Sequence, residues 1–236
     1  MSKREEMRRR RQAQTRQRMI GLIAAVVVLA LAVTSWLIYQ NVKPIGAIKA
    51  VPTRVYAQAS GKTLGAPDAK VTLLLFSDFR CPACRALAQG VEDQIIAQFV
   101  DTGRARLEYH HYLIIDQKVG GRESRDAALA SECAADQSQF WNFHNLLFAN
   151  QGATEGGGAF EVRRLKALAE SMGLDTAAFN QCLDSGRHAA EVTADEVLAA
   201  QFGVSGTPTV FVNGNKMANP QDLAEYERLI TLQEQQ

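Results

Sequence analysis

The chain has 236 residues, 47% of them hydrophobic and 22% charged, with 26 Lys and Arg against 25 Asp and Glu. These totals exclude a disordered polar chain and a collagen-like repeat, and they leave length for one or two domains with a sizeable core. The formal net charge of +1 argues against a strongly basic nucleic-acid binder, but that figure averages very unequal segments.

Residues 1–18 carry eight Lys and Arg opposed only by Glu5 and Glu6, a net of +6. The next 21 residues, Met19 to Tyr39, carry no charge. As a helix at ~1.5 Å per residue they reach roughly 31 Å, the thickness of a bilayer's hydrocarbon core. Trp36 and Tyr39 lie at the far end, where aromatic rings favour the lipid–water boundary. The pattern predicts a basic cytoplasmic tail over 1–18 and a single transmembrane helix over 19–39. The positive-inside rule then places the N-terminus in the cytoplasm and the rest of the chain outside the cell membrane. A cleaved signal peptide fits less well. The apolar run is too long, and the best cleavage pattern, Ala57-Gln58-Ala59, lies too far downstream. The Arg run abuts the span and reads as a topology signal, not as a nucleic-acid arm.

Residues 41–236 carry a net charge of −5. Pro44, Gly46, Pro52, Ser60 and Gly61 are scattered through weakly patterned sequence, so 40–64 reads as a linker and 65–236 as the globular domain. Val71 to Phe76 is apolar on both faces, as a buried parallel strand would be. After Cys81-Pro82-Ala83-Cys84, Leu87, Val91, Ile95 and Phe99 repeat at helical spacing, and Gly103 is placed to end that helix. Arg104 to Ile115 reads as a second strand. Helical stretches follow over about 122–149, 160–172, 176–184 and 187–202, and about 120–187 forms a helical insert. Gly156-Gly157-Gly158 reads as a loop, since it lacks the Lys-Ser/Thr continuation of a phosphate cradle. Thr209 to Val212 is a strand, Asn213-Gly214 a hairpin turn, and Asn215 to Met217 the return strand. Asn219 as N-cap and Pro220 as first residue would open a final helix.

The four cysteines divide into two kinds. Cys81 and Cys84 form a C-x-x-C where a buried strand meets a helix. A helix N-terminus offers Cys81 unpaired N–H groups and the positive end of the dipole, both of which favour the thiolate. Pro82 suits the first turn, and Cys84, one turn on, can resolve a mixed disulfide. The alternatives are a static disulfide or half of a zinc site, though the sequence has no second C-x-x-C or H-x₃₋₅-H to complete one. Cys133 and Cys182 sit among apolar helical residues 49 positions apart and read as a structural disulfide. Two separate buried thiols or a second redox relay are the alternatives.

Phe76-Ser77-Asp78-Phe79-Arg80-Cys81-Pro82-Ala83-Cys84 and Gly203 to Gly214, which contains Thr207-Pro208, resemble the DsbA-like thiol-disulfide oxidoreductases of the thioredoxin superfamily. Ala127 to Ala134, Gln139 to His144 and Leu147-Phe148 resemble that family's helical insert. The resemblance covers about residues 64–236. It implies an α/β thioredoxin fold with an inserted helical domain, Cys81 as nucleophile, Cys84 as resolving cysteine, and Pro208 as a cis-proline facing them. Thr207 would lie near the Cys81 sulfur, and the Thr207-Pro208 loop would present backbone to an extended substrate. The implied activity is donation of the Cys81–Cys84 disulfide to exported unfolded or reduced proteins, with no metal or organic cofactor. A quinone-linked membrane protein, DsbB-like or vitamin-K-epoxide-reductase-like, would restore the disulfide. A disulfide reductase or isomerase is the rival activity, and a non-redox peptide-binding module with a static disulfide is the rival class.

Two positions depart from the pattern. Ala83 stands where the strongest oxidants of the family carry His, which predicts weaker thiolate stabilisation. Leu75 stands where relatives often bury an acid that moves the Cys84 proton. Asp78 and Glu108 are candidate substitutes, though each reads more simply as a solvated carboxylate. His110, His111, His144 and His188 lack ligand spacing and read as structural. Phe140, Trp141, Phe143 and Phe148 read as insert core or as the lining of a peptide groove.

Overall fold

The computed structural model describes residues 3–42, 44–152 and 158–235. Gly156 and Gly157 of the predicted loop lie outside the described residues. The chain divides into two compact units, Met1–Gly46 and Ala47–Gln236.

The first unit is one helix, α1 (Lys3–Val42). No Pro or charged interruption breaks the apolar stretch, so tail and span run together as a single helix. Within it, Gln14–Tyr39 is long and apolar enough to cross a membrane. Its large apolar side chains, Leu22, Val26 and Leu29 among them, are exposed.

The second unit is built on a five-stranded sheet in the order β1-β3-β2-β4-β5. The strands are β1 (Thr63–Leu64), β2 (Val71–Ser77), β3 (Ala105–His111), β4 (Thr209–Val212) and β5 (Asn215–Lys216). Central β2 runs parallel to β3, with Leu75 opposite Tyr109, and antiparallel to β4, with Leu75 opposite Val210. Strands flanked on both edges and covered on both faces read as continuous apolar runs, as Val71 to Phe76 does. Gly65 turns the chain between β1 and β2 at φ +99°, where a Cβ would meet Ala105 O at 2.9 Å, so a side chain is excluded there. Asn213 (φ +46°) and Gly214 (φ +81°) form the predicted β4–β5 turn.

Helices α2 (Pro82–Gly90) and α3 (Glu92–Ile95) follow β2, and a wider turn over Ile96–Val100 leads toward β3. Then come α4 (Ile114–Val119), α5 (Glu123–Ala135), α6 (Phe140–Ala149), α7 (Val162–Ser171), α8 (Thr176–Ser185), α9 (Ala189–Gln201) and, after the hairpin, α10 (Leu223–Glu234). A disulfide joins Cys133 on α5 to Cys182 on α8. Phe140, Trp141, Phe143 and Phe148 are all buried in the main core.

Several boundaries differ from the sequence reading. From Ala47 onward the 40–64 segment belongs to the compact unit, and it has no charge or apolar period that would advertise this. Two side-chain amides hold it. Asn150 Oδ1 accepts from Lys49 N (2.8 Å) while its Nδ2 donates to Lys49 O (2.9 Å). Asn142 treats Arg54 the same way, at 2.8 and 3.1 Å. Each amide imitates a neighbouring strand. The predicted second strand stops at His111 and its end becomes α4. The 122–149 helix breaks into α5 and α6 through a left-handed residue, Ser138 (φ +59°). The last helix starts later than predicted. Its N-cap is Asp222, which accepts from Ala224 N, whereas Asn219 caps only a turn to Gln221 N.

Candidate active site

Strand β2 ends at Ser77, and the next four residues turn the chain into α2. The Asp78 carboxylate organises this turn: Oδ1 accepts from Arg80 N (2.8 Å) and Oδ2 from Ile115 N (2.9 Å). Cys81 N closes the turn onto Asp78 O (3.0 Å). Arg80 is buried and donates to Asp116 Oδ1 at 2.6 Å. Asp116 also accepts from Ser124 N and Arg125 N at the start of α5, so the turn is bolted to the insert.

Cys81 is the N-cap of α2, with extended backbone, and Pro82 follows in the first turn, where no N–H is required. Cys81 and Cys84 are both free thiols, 6% and 1% exposed. The Cys81 Sγ lies 3.4 Å from Thr207 O across the Thr207–Pro208 peptide, which is cis. Thr207 Oγ1 is buried beside the cysteine pair.

The two thiols are electrostatically unlike. A hydrogen bond from Cys84, then Thr207 and the N–H groups of Cys84 and Ala83, outweigh burial and lower Cys81 to about 6. Burial, reinforced by the Cys81 sulfur, pushes Cys84 well above an ordinary thiol. At neutral pH the pair thus shares one proton, held by Cys84, and the anion rests on the residue at the helix N-terminus. Ala83 contributes through its backbone N–H alone, and that still leaves Cys81 strongly acidic.

Leu75 is buried and places no carboxyl beside the pair. Asp78, read from sequence as solvated, is 2% exposed, and burial raises it to about 6 against the two N–H groups that oppose the shift. Glu108 is held low by His110 despite partial burial, with help from Arg106, to which it is ion-paired. Sequence reasoning missed Glu92 altogether. It is 4% exposed on α3, and burial raises it to about 8. Its Oε1 lies 3.7 Å from Nε2 of His144, which burial lowers to about 4. The signal was available, since Glu92, Ile95, Ile96 and Phe99 stand at i, i+3, i+4 and i+7 on one buried face.

Two groups bring metal-ligand atom types together. His111, Glu132 and Asp195 have ligand atoms within 4.8 Å of one another. The Lys62 ammonium already bridges those two carboxylates, at 3.1 and 2.5 Å. The other group is Cys133, Cys182 and His188. Its sulfurs are tied in the disulfide and offer no thiolate.

A parallel-plus-antiparallel sheet, a C-x-x-C at a helix start and a Thr-Pro loop against it recur together in known proteins. The family profile described as Thioredoxin matches residues 58–231. The chain belongs to the thioredoxin family. Within that family it is a DsbA-like thiol-disulfide oxidoreductase. It is 28% identical over 205 residues to a probable disulfide bond formation protein D of Bacillus cereus, covering 85% of this chain and 89% of that one. It is 30% identical to the Bacillus anthracis protein of the same name, covering 70% and 75%. The oxidised BdbD structure from Bacillus subtilis superposes with a TM-score of 0.67 at 28% identity, covering 77% of this chain and 96% of that one. The N-terminal helix of this thioredoxin-family chain is long and apolar enough to cross a membrane.

Proposed function

We propose that this oxidoreductase works as a disulfide donor to exported proteins, anchored by α1 with the basic tail in the cytoplasm and the Ala47–Gln236 unit outside. The observation that carries the reading is the asymmetry of the thiol pair, with Cys81 lowered to about 6 and Cys84 raised. Stabilising the Cys81 thiolate stabilises the reduced pair, and a stable reduced form makes the disulfide a better oxidant. A value of about 6 lies between the ~7 of thioredoxin and the ~3.5 of DsbA. That interval favours donation, at a weaker potential than the strongest oxidants reach.

In the oxidised protein a substrate thiolate attacks Cys81 Sγ. The Cys81–Cys84 bond breaks, and Cys84 leaves as a thiolate that takes up a proton. The substrate's second thiolate then attacks its own sulfur in the mixed disulfide and expels Cys81 as the thiolate. Two electrons pass from the substrate dithiol to the cysteine pair. Thr207 O, 3.4 Å from Cys81 Sγ, marks where the cis loop meets the reacting sulfur and where an extended substrate would lie. A quinone-linked membrane protein, DsbB-like or vitamin-K-epoxide-reductase-like, would withdraw the electrons again. Cys133–Cys182 is a structural clamp in this reading and takes no part in exchange.

The test combines trapping with a potential. The Cys84→Ser variant should accumulate mixed disulfides between Cys81 and exported proteins, and wild-type Cys81 should alkylate with a midpoint near pH 6. The wild-type couple should be more oxidising than thioredoxin, about −270 mV. A couple at or below that value overturns the donor assignment. Absence of adducts together with an ordinary thiol midpoint overturns the exchange chemistry at Cys81.

A further inference from the structure

Gln151 is the first residue but one after α6, in the insert, and its amide reaches into the turn that carries the nucleophile. Nε2 donates to Phe79 O at 2.7 Å and to Cys81 O at 2.9 Å. Both amide hydrogens are therefore spent on two carbonyls of one turn. The orientation is forced by chemistry, because a flipped amide would set its oxygen against two carbonyl oxygens. Oε1 is buried and has no hydrogen-bond partner among the described residues. The side chain's hydrogen bonding thus goes wholly to the residues around Cys81.

We propose that Gln151 is the positioning residue through which the helical insert sets the reactivity of Cys81. This rests on the reading of Cys81 as the exchanging thiol. Two physical effects act together. Cys81 O is also the first acceptor of α2, taking Arg85 N at 3.1 Å. Gln151 clamps that carbonyl and the Phe79 carbonyl at once, which fixes the backbone of Cys81 so that its sulfur faces the N–H groups of Ala83 and Cys84. The same two bonds draw electron density toward the amide from the carbonyl of Cys81 itself and from that of Phe79 two residues earlier, and so ease accumulation of negative charge on the sulfur. Asp78 and Asp116 secure the turn by other atoms, through Arg80 N, Ile115 N and the Arg80 guanidinium. They do not duplicate the contact to Cys81 O.

The experiment uses the full chain in detergent and compares wild type with Gln151→Met, which keeps the shape and removes both donors, and Gln151→Glu, which adds charge. Thiolate absorbance against pH gives the Cys81 midpoint, and equilibration with glutathione gives the oxidising power. In Gln151→Met the midpoint should rise by at least half a unit, and the equilibrium should shift about three-fold or more toward the protein disulfide. Gln151→Glu should shift both further. In the wild-type protein with ¹⁵N-labelled glutamine, the Gln151 side-chain amide resonances should titrate with the Cys81 midpoint, which keeps the test independent of how the variants fold. A low wild-type midpoint that neither variant moves, or an amide that does not follow the titration, overturns the inference and leaves exchange at Cys81 standing. An ordinary thiol midpoint in the wild type overturns both.

Discussion

Replacing Glu92 by Gln should stabilise the protein, and by an amount that depends on pH in a defined way. Glu92 is buried on α3, with Tyr56, Tyr109, Tyr226, His144 and Asp93 as its ionisable neighbours and no Lys or Arg paired with it among the described residues. His144 adds no proton to share. Its Nδ1 lies 2.9 Å from Asn145 Oδ1, which places the ring hydrogen there, and burial keeps the ring neutral. Glu92 therefore stays protonated in the native state up to about pH 8, while in the unfolded chain it ionises from its ordinary value of 4.5. Between those limits the unfolded state binds fewer protons, so stability falls as pH rises. The full shift corresponds to about 5 kcal/mol, of which about 3 kcal/mol is already expressed at pH 7. Gln has nearly the same shape and cannot ionise. The gain in unfolding free energy of Glu92→Gln over wild type should be close to zero at pH 4, about 3 kcal/mol at pH 7 and about 5 kcal/mol at pH 9. Urea unfolding of the full chain in detergent, with the cysteine pair kept reduced, measures it. Asp78 and His144 titrate in both proteins and cancel in the difference. A difference that stays flat with pH, or a variant less stable than wild type at pH 9, refutes the assignment of a buried neutral carboxyl.

Two further outcomes follow from the contacts that hold the insert. Removing the Cys133–Cys182 bond with paired alanines opens a loop with a sequence separation of 49, and the chain-entropy relation gives a loss of about 4 kcal/mol in urea unfolding. A loss below about 1 kcal/mol would show that the packing of α5 against α8 holds without the clamp. Lys62→Met leaves Glu132 and Asp195 without the ammonium between them. Burial raises both carboxylates, yet His111 and Lys62 hold Glu132 at about 2, and His110, His111 and Lys62 hold Asp195 at about 2. Their depressed values contribute stability that is present above the ordinary carboxylate range and lost as pH falls toward 2. The variant should lose about 3 kcal/mol at pH 7 and begin acid unfolding at a higher pH, as followed by circular dichroism. An unchanged acid transition would remove Lys62 from the cluster's energetics.

The features that sequence made legible share one property, which is that each is specified locally. Val71 to Phe76 is apolar at consecutive positions because both faces of β2 are covered. Asn213-Gly214 supplies the two positive φ angles a tight hairpin needs. Cys81-Pro82-Ala83-Cys84 joins a helix-starting proline to a thiol pair one turn apart. Contacts between distant segments left no such trace. The Ala47–Gly61 stretch is docked by amides of Asn142 and Asn150, 88 and 101 residues away, and an exposed asparagine looks the same in sequence as one that binds a backbone. Asn219-Pro220 carries the standard signs of a helix start. The Glu225 carboxylate accepts from Ala218 N and Asn219 N, which holds 218–219 outside the helix and leaves Asp222 to cap it.

Ala83 shows why one departure from a family motif need not transfer to chemistry. A side chain between the cysteines is one of several donors that can lower a nucleophile's pKa. Here the first is the Cys84 thiol itself, followed by Thr207 and two backbone N–H groups. None of these depends on the identity of residue 83, provided that Pro82 starts the helix and the turn before it is held. That turn is fixed from three sides: by Asp78 through Arg80 N and Ile115 N, by Asp116 through the Arg80 guanidinium, and by Gln151 through the Phe79 and Cys81 carbonyls. The acidity of Cys81 thus draws on the Cys84 thiol, Thr207 and backbone N–H groups held by this turn, and the dipeptide side chain adds to them. The same logic applies to Leu75. Leu75 puts no carboxyl on β2, and buried carboxyls stand elsewhere in the same unit, Asp78 at about 6 and Glu92 at about 8, on either side of neutral pH. A motif read residue by residue records which donor is missing; the fold decides how many others remain.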